Sequence, residues 1–357
     1  MIHHNRKGSE ATMHSTTSHL RPLLAALLVA IAALAVAACG SDESGDGEET
    51  ADLGSGEALT VYSGRSEELV APVIEDFGGE VEVRYGDSAP LAATIIEEGD
   101  NSPADAFFSQ DGGALGALSA EGRLEKLPKR ILDQVPPQFR AKDGTWVGVT
   151  GRARIIAYGP EVDESELPDS PLELTEPEWE GRVGWAPSNA SFQAYVTALR
   201  VTEGEDVARE WLEDMVANGV QTYDSNTPIR DAIANGEIDV GLINHYYVAQ
   251  AAAEEPDYPV SIHYPPEGLG ALINVAGIGV LSSSGDKAEA LRFVEYLLSE
   301  PAQQFFVEET KEYPLVKGLD ADPSLPPIEE IPAPEIDLAQ IADLEGTLEL
   351  LRETGAL

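Results

Sequence analysis

From residue 59 onward, apolar runs of strand length alternate with runs whose apolar residues recur at helical spacing, and this alternation confines the chain to layered α/β folds. "ALTVYSG" (58–64) reads as a strand and "SEELVAPVIEDF" (66–77) as a helix. "EVEVRYG" (80–86) alternates as a strand, and "APLAATIIEEG" (89–99) is a helix closed by Gly99. "ADAFFSQ" (104–110) is a short strand, and the glycine-rich "DGGALGAL" after it is expected to be a loop. A second series runs through "RARIIAYG" (152–159), "RVGWAPS" (182–188), the helix "ASFQAYVTALRV" (190–201) and "GVQTYDS" (219–225). It continues with the helix 228–236 and the strands 238–244 and 274–283, and ends in a helix at 287–299. This order predicts mostly parallel sheet with helices on both faces, and 357 residues suit two such bodies. Residues 321–334, "ADPSLPPIEEIPAP", read as a crossing segment, with a last helix expected at 337–353.

The first 38 residues belong to a different class. Arg6, Lys7 and Arg21 precede the apolar run "LLAALLVAIAALAVAA" (23–38), which is short for a membrane span and ends in small residues. Cys39, the single cysteine, follows at once. A leader ending "VAAC" resembles a bacterial lipoprotein processing site, at which Cys39 would be lipidated and become the new N-terminus. The competing reading is a transmembrane anchor with an incidental cysteine, but the flank is acidic, not basic. Residues 39–58 form a tether of small and acidic residues that bury nothing. The chain carries a net charge of -42, and loss of the leader makes it two units more negative. Such a surface excludes nucleic acid and anionic lipid headgroups as partners, so membrane attachment would be by lipid only. Processing also leaves no thiol and only His245 and His263 among the histidines, which argues against zinc or manganese sites.

Ligands of open α/β sheets sit beyond the carboxyl ends of the strands. Three strand-to-helix junctions there carry cap-type residues. "PSNAS" (187–191) offers Ser188 or Asn189 as N-cap, and "SNTP" (225–228) puts Asn226 and Thr227 at the cap and Pro228 at the first helical position. "LINHYY" does the same with Asn244. Free N–H groups at several helix N-termini facing one cleft would hold an anion, although each cap alone needs no ligand to explain it. If Asn244 caps its helix, Tyr246 and Tyr247 sit in the first turn about 100° apart and can converge on one point. Phenolate oxygens suit hard cations, ferric iron above all; aromatic packing is the alternative for the pair.

Residues 59–318 resemble the ferric-ion-binding proteins of bacterial ABC iron importers, which have the type II periplasmic-binding-protein fold. The stretches that carry the resemblance are "LTVYSGRSEELV" (59–70), "LAATIIEEGDNSPADAFFSQDGGALGALS" (91–119), "WVGVTGRARIIAYGP" (146–160) and "EWEGRVGWAPSNASFQA" (178–194). They continue with "YDSNTPIRDAIANGEIDVGLINHYY" (223–247), "GALINVAGIGVLSSS" (270–284) and "EYPL" (312–315). The resemblance implies two lobes, each a mostly parallel sheet flanked by helices, with the ligand cleft between them. Its boundaries here would be 59–152 plus 275–318 for lobe 1 and 153–274 plus 319–357 for lobe 2. It implies that Tyr246 and Tyr247 ligate ferric iron, and that Asn189, Ala190, Ser191, Asn226 and Asn244 contact a synergistic anion such as carbonate, phosphate or citrate.

The first lobe departs from the family pattern. Ser66 and Glu67 stand where some members carry a histidine or a His-Tyr pair, and Gln110 and Asp111 where some carry a ligating glutamate. The third tyrosine of other members falls near Ala190 or Ser191 and is absent; Tyr195 is a weak substitute that packing explains better. Arg65, Ser66, Gln110 and Asp111 are the candidate first-lobe contacts. Arg65 is the candidate counter-charge for the anion, with a solvent-facing arginine as the alternative, and Asp111 reads more readily as a loop cap before the two glycines. His245 is expected to point away from the site. The function implied is capture of ferric iron on the outer face of the cytoplasmic membrane and delivery to an ABC permease, by a monomer. No catalytic Ser-His-Asp set, cysteine nucleophile or phosphate loop is present, so no enzyme is expected. Two alternatives stay open: a small anionic cargo such as a phosphonate or phosphorylated vitamin, and a sensing or docking lipoprotein that transports nothing.

Overall fold

The computed structural model describes residues 58–357. The leader, Cys39 and all of the tether except Ala58 lie outside the described residues. Among those described, no helix is long and apolar enough to cross a membrane.

Ten strands appear among the described residues: β1 (Leu59–Ser63), β2 (Val81–Tyr85), β3 (Ala106–Ser109), β4 (Trp146–Tyr158), β5 (Val183–Trp185), β6 (Gln221–Thr222), β7 (Val240–Asn244), β8 (Ser261–His263), β9 (Ile273–Val280) and β10 (Tyr313–Pro314). They lie in the order β2-β1-β3-β9-β4-β7-β5-β6, with β8 and β10 also paired to β4. The flanks of this order are parallel, β1 with β2 and β3, and β5 with β6 and β7. Every pairing that involves β4 or β9 is antiparallel. The sheet is therefore mixed, and the mostly parallel character expected holds in its two flanks, while β4 and β9 run antiparallel to their partners. Apolar alternation marks a strand but carries no sign of its direction, which depends on where the chain returns.

β4 begins at Trp146, six residues before the expected start, and is thirteen residues long. Its first part pairs with β9 from Trp146 to Ala153, and Arg154–Tyr158 pairs with β7. One strand thus serves both flanks. It is buried from Trp146 to Ala157, and its interior includes two arginines.

The stretch expected to be a glycine-rich loop is instead the helix Gly112–Ala120, capped by Asp111. Glycine is a poor helix former, so tertiary packing must favour it here. A Cβ on Gly113 would lie 2.3 Å from the Ile341 carbonyl oxygen, and one on Gly116 would lie 2.6 Å from that of Ala339. The C-terminal segment runs directly against this helix and needs its bare backbone. That segment holds a short 3-10 turn, Leu338–Gln340, and then a helix at Leu344–Glu353, so the last helix is shorter than expected. Thr347 and Thr197 share a 2.7 Å hydroxyl contact that seats it on the helix Ala190–Thr202. A helix at Glu205–Ala217 was not expected, although its buried Ala208, Trp211, Leu212 and Met215 have helical spacing.

Gly113→Ala is expected to destabilise the protein by about 1–3 kcal/mol, because the methyl group meets backbone and not a yielding side chain. Urea unfolding measures this; the alanine's higher helix propensity alone would shift stability the other way.

Candidate functional site

Six strand ends open on one cleft of about 460 Å³. After β1 come Gly64, Arg65 and Ser66, and after β2 come Gly86, Asp87 and Ser88. Gln110 follows β3, Ser188, Asn189 and Ala190 follow β5, Asp224 follows β6, and Tyr246 and Tyr247 follow β7. All six strands belong to the parallel flanks, and the cleft lies beyond their carboxyl ends, as in open α/β sheets generally.

Asn244 is the N-cap of the helix His245–Glu254, which puts both tyrosines in its first turn. Their rings stack at 4.3 Å between centroids and 29° between planes. Tyr246 is 3 % exposed and Tyr247 is half-buried, yet both face the cleft. Burial pushes the Tyr246 phenol well above its ordinary pKa; Tyr247 beside it and Glu312 add to the rise, and Arg152 opposes it. Ligation of a metal must therefore displace a firmly held proton.

His245 turns away from the cleft and is fully buried. Its Nδ1 accepts from the Ala153 amide at 3.1 Å, so Nε2 carries the proton and donates to the Lys311 carbonyl at 2.9 Å. Burial pulls its pKa down to about 4, so the ring is neutral at pH 7. Lys311 has φ +58°, the only left-handed non-glycine residue among those described. The helix that carries the tyrosines is in this way pinned to β4 on one side and to a strained turn on the other.

Asn189 caps the helix Ala190–Thr202, and its Oδ1 accepts from both the amide and the hydroxyl of Ser191. The Ser191 hydroxyl in turn accepts from Asn244 Nδ2 at 3.2 Å, which ties two helix starts together. Asn226 does not line the cleft. The N-cap of its helix is Ser225, not Asn226 or Thr227, and Pro228 is the third helical residue. Asn226 itself is fully buried, and neither end of its amide has a partner.

Of the other candidates, Arg65, Ser66 and Gln110 reach the cleft, while Asp111 is spent as a cap that accepts from the Ala114 amide at 2.9 Å. Tyr195 packs against Phe192 and Trp211.

Three residues that sequence reasoning missed dominate the electrostatics. Arg152 and Arg154 lie two apart on β4, so they share a face, and each is 2 % exposed. They line a small cavity with Ser191, Tyr195, Asn244, Leu272 and Asn274. Arg154 donates to the Leu242 carbonyl at 2.6 Å and stands over the rings of Phe192 and Tyr195. Burial pulls its pKa to about 10, which leaves it charged. Arg152 donates to the Gln110 carbonyl, but its Nε and Nη1 have no partner. Glu312 is 1 % exposed; its Oε1 accepts from Arg65 Nη2 and its Oε2 from the Thr150 hydroxyl, each at 2.7 Å. Burial raises the Glu312 carboxyl, but Arg65 and Arg152 outweigh it and hold the group below its ordinary value. The available signal was two arginines in an otherwise apolar strand, "RARIIAY". Unpaired buried guanidinium N–H groups in so acidic a chain fit an anionic ligand.

Residues 101–339 match the family described as bacterial extracellular solute-binding protein. The chain belongs to that family. This solute-binding protein is 34% identical over 312 residues to the major ferric iron-binding protein of Neisseria meningitidis, covering 83% of this chain and 92% of that one. Iron-bound HitA from Pseudomonas aeruginosa has the same fold, with 35% identity and a TM-score of 0.77 over 84% of this chain and 99% of its own. A Trichodesmium protein solved with iron and citrate ligands superposes with a TM-score of 0.73 at 28% identity, over 84% and 99% of the two chains. The two-lobed solute-binding fold expected from the sequence is the fold observed.

Proposed function

We propose that this solute-binding protein captures ferric iron with a synergistic anion in the cleft and delivers the iron to an ABC permease. The observation that carries the reading is the stacked pair Tyr246 and Tyr247, in the first turn of a helix and facing a cleft that Arg65 also lines. The ferric-binding relatives support it. Each phenol that ligates iron forms an iron–oxygen bond and releases its proton to solvent. The two phenolates offset two of the three ferric charges. Asn189, Ala190, Ser191 and Asn244 hold the anion side, with Arg65, Arg152 and Arg154 as counter-charges. Ser66 and Gln110 face the metal from the first lobe. Asn226, buried with its amide unpartnered and outside the cleft lining, has no part in this anion side.

The lobes in this reading are 59–152 with 275–318, and 153–274 with 319–357. β4 and β9 cross between them and form the hinge that lets them close over the ion and exclude water. Capture and release need no bond-making beyond metal ligation, so no enzymatic turnover is proposed. Lipidation at Cys39 and the acidic tether would hold the body near the permease as a monomer.

Ferric iron added with citrate or bicarbonate to the purified protein is expected to give a visible phenolate-to-metal charge-transfer band. A colourless protein that binds phosphate tightly would replace this reading with an anion-transport one, and a protein that binds neither would favour docking without transport.

A further inference from the structure

We infer that Glu312 is a specificity-determining residue that sets the charge of the anion accepted with the metal. The inference rests on the ferric reading above. Arg65, Arg152 and Arg154 are all buried; Arg65 and Glu312 act on Arg152, Arg152 and Glu312 act on Tyr246, and Tyr246 acts on Arg154. Against these three guanidinium groups stand one buried carboxylate, Glu312, and the half-buried Asp111, which faces Arg152. Asp87 and Asp224 also line the cleft but are exposed, where water screens them.

At least one guanidinium charge is therefore left over in the interior. Iron bound by two phenolates adds one more positive charge. An anion of two negative charges balances the site as it stands.

Hydrogen bonding alone does not require a carboxylate at 312. A glutamine amide oxygen can accept from Arg65 or from Thr150, and burying a carboxylate costs more than burying an amide. What the carboxylate adds is one unit of negative charge inside the site. Its position relative to the phenols is fixed as well. Glu312 directly follows Lys311, whose carbonyl accepts a hydrogen bond from His245 Nε2, and His245 directly precedes Tyr246. The charge-setting group and the metal ligands thus share one backbone linkage. The three guanidinium groups also have N–H groups without partners, Nε of Arg65, Nε and Nη1 of Arg152 and Nε of Arg154, where an oxyanion would be recognised.

The test compares wild type, Glu312→Gln and the double variant Arg65→Gln/Glu312→Gln. Each is loaded with ferric iron in phosphate or in citrate, and affinity is read from the charge-transfer band. Glu312→Gln is expected to raise the preference for citrate over phosphate roughly tenfold, the effect of one nearby charge. The double variant removes one charge of each sign and also the Arg65 contact to the anion, so it is expected to bind both anions more weakly while the preference between them stays that of wild type. An unchanged preference in a folded, iron-binding Glu312→Gln overturns the role of Glu312 and leaves the ferric reading intact. If Glu312→Gln does not fold by circular dichroism, the double variant decides, because it removes both members of the Arg65–Glu312 ion pair together; a shifted preference there overturns the inference. If wild type gives no band, calorimetric titration of the iron-free proteins with sulfate tests Glu312 separately from iron. Roughly tenfold tighter sulfate binding in Glu312→Gln then supports its charge-setting role, and equal binding overturns it.

Discussion

Replacing Tyr246 and Tyr247 together by phenylalanine is expected to abolish the ferric charge-transfer band and to weaken iron binding by more than ~10³-fold. Loss of an outer-shell partner alone typically costs 10–100-fold in metal affinity, and here both protein-derived phenolates go. The fold should survive. Phenylalanine keeps the rings that stack at 4.3 Å and removes only hydroxyls, one of them on a nearly buried side chain. Tyr247→Phe alone is expected to leave a weaker band, since one phenolate remains. A full band in the double variant would mean that iron sits elsewhere, and thermal unfolding of both proteins without metal checks that the comparison is fair.

Acidification is expected to cost this protein about 3 kcal/mol through His245 alone. The ring is neutral and buried, with its pKa depressed from 6.5 to about 4. The unfolded chain therefore takes up the proton first as pH falls. The stability is fully present above pH 6.5, declines between 6.5 and about 4, and is gone below. Burial is the main cause. Arg152 adds to the depression, while Glu312 and the hydrogen bonds to Lys311 and Ala153 oppose it. Carboxylates also titrate at the acid end of this window, so the informative quantity is a difference of slopes. Urea unfolding at pH 7 and pH 4.5 should show a shallower pH dependence in His245→Gln than in wild type. Equal slopes would mean that the histidine is protonated, or exposed, in the folded protein.

Much of the site was legible because its signals are local. A strand run ending in Asn244, followed by helical spacing, is enough to place Tyr246 and Tyr247 in a first turn. Cap chemistry located Asn189 in the same way, because a cap is a bond between residues two or three apart. It failed at Asn226, where three cap-type residues in a row left the choice open and Ser225 took the position without any side-chain bond. Asp111 shows the reverse case, in which the cap reading held and the residue was lost to the cleft.

The alternation of strand and helix, the placement of two phenols at a strand-to-helix junction and the acidic surface were all determined by the sequence itself. They depend on side-chain period, capping and composition, which neighbours along the chain suffice to specify. Only the tertiary structure decided that β4 and β9 run against their partners, since strand direction is fixed by where a distant segment returns. It also decided that a glycine-rich stretch is helical, because the reason lies in the backbone of residues 339–341, more than two hundred positions away. The charged interior is the clearest case. Arg65 and Glu312 are 247 residues apart and meet at 2.7 Å, and Arg152 lies beside both. A charge is tolerated in an interior only through partners brought in from elsewhere in the fold, so no local pattern could have shown which arginines this protein buries.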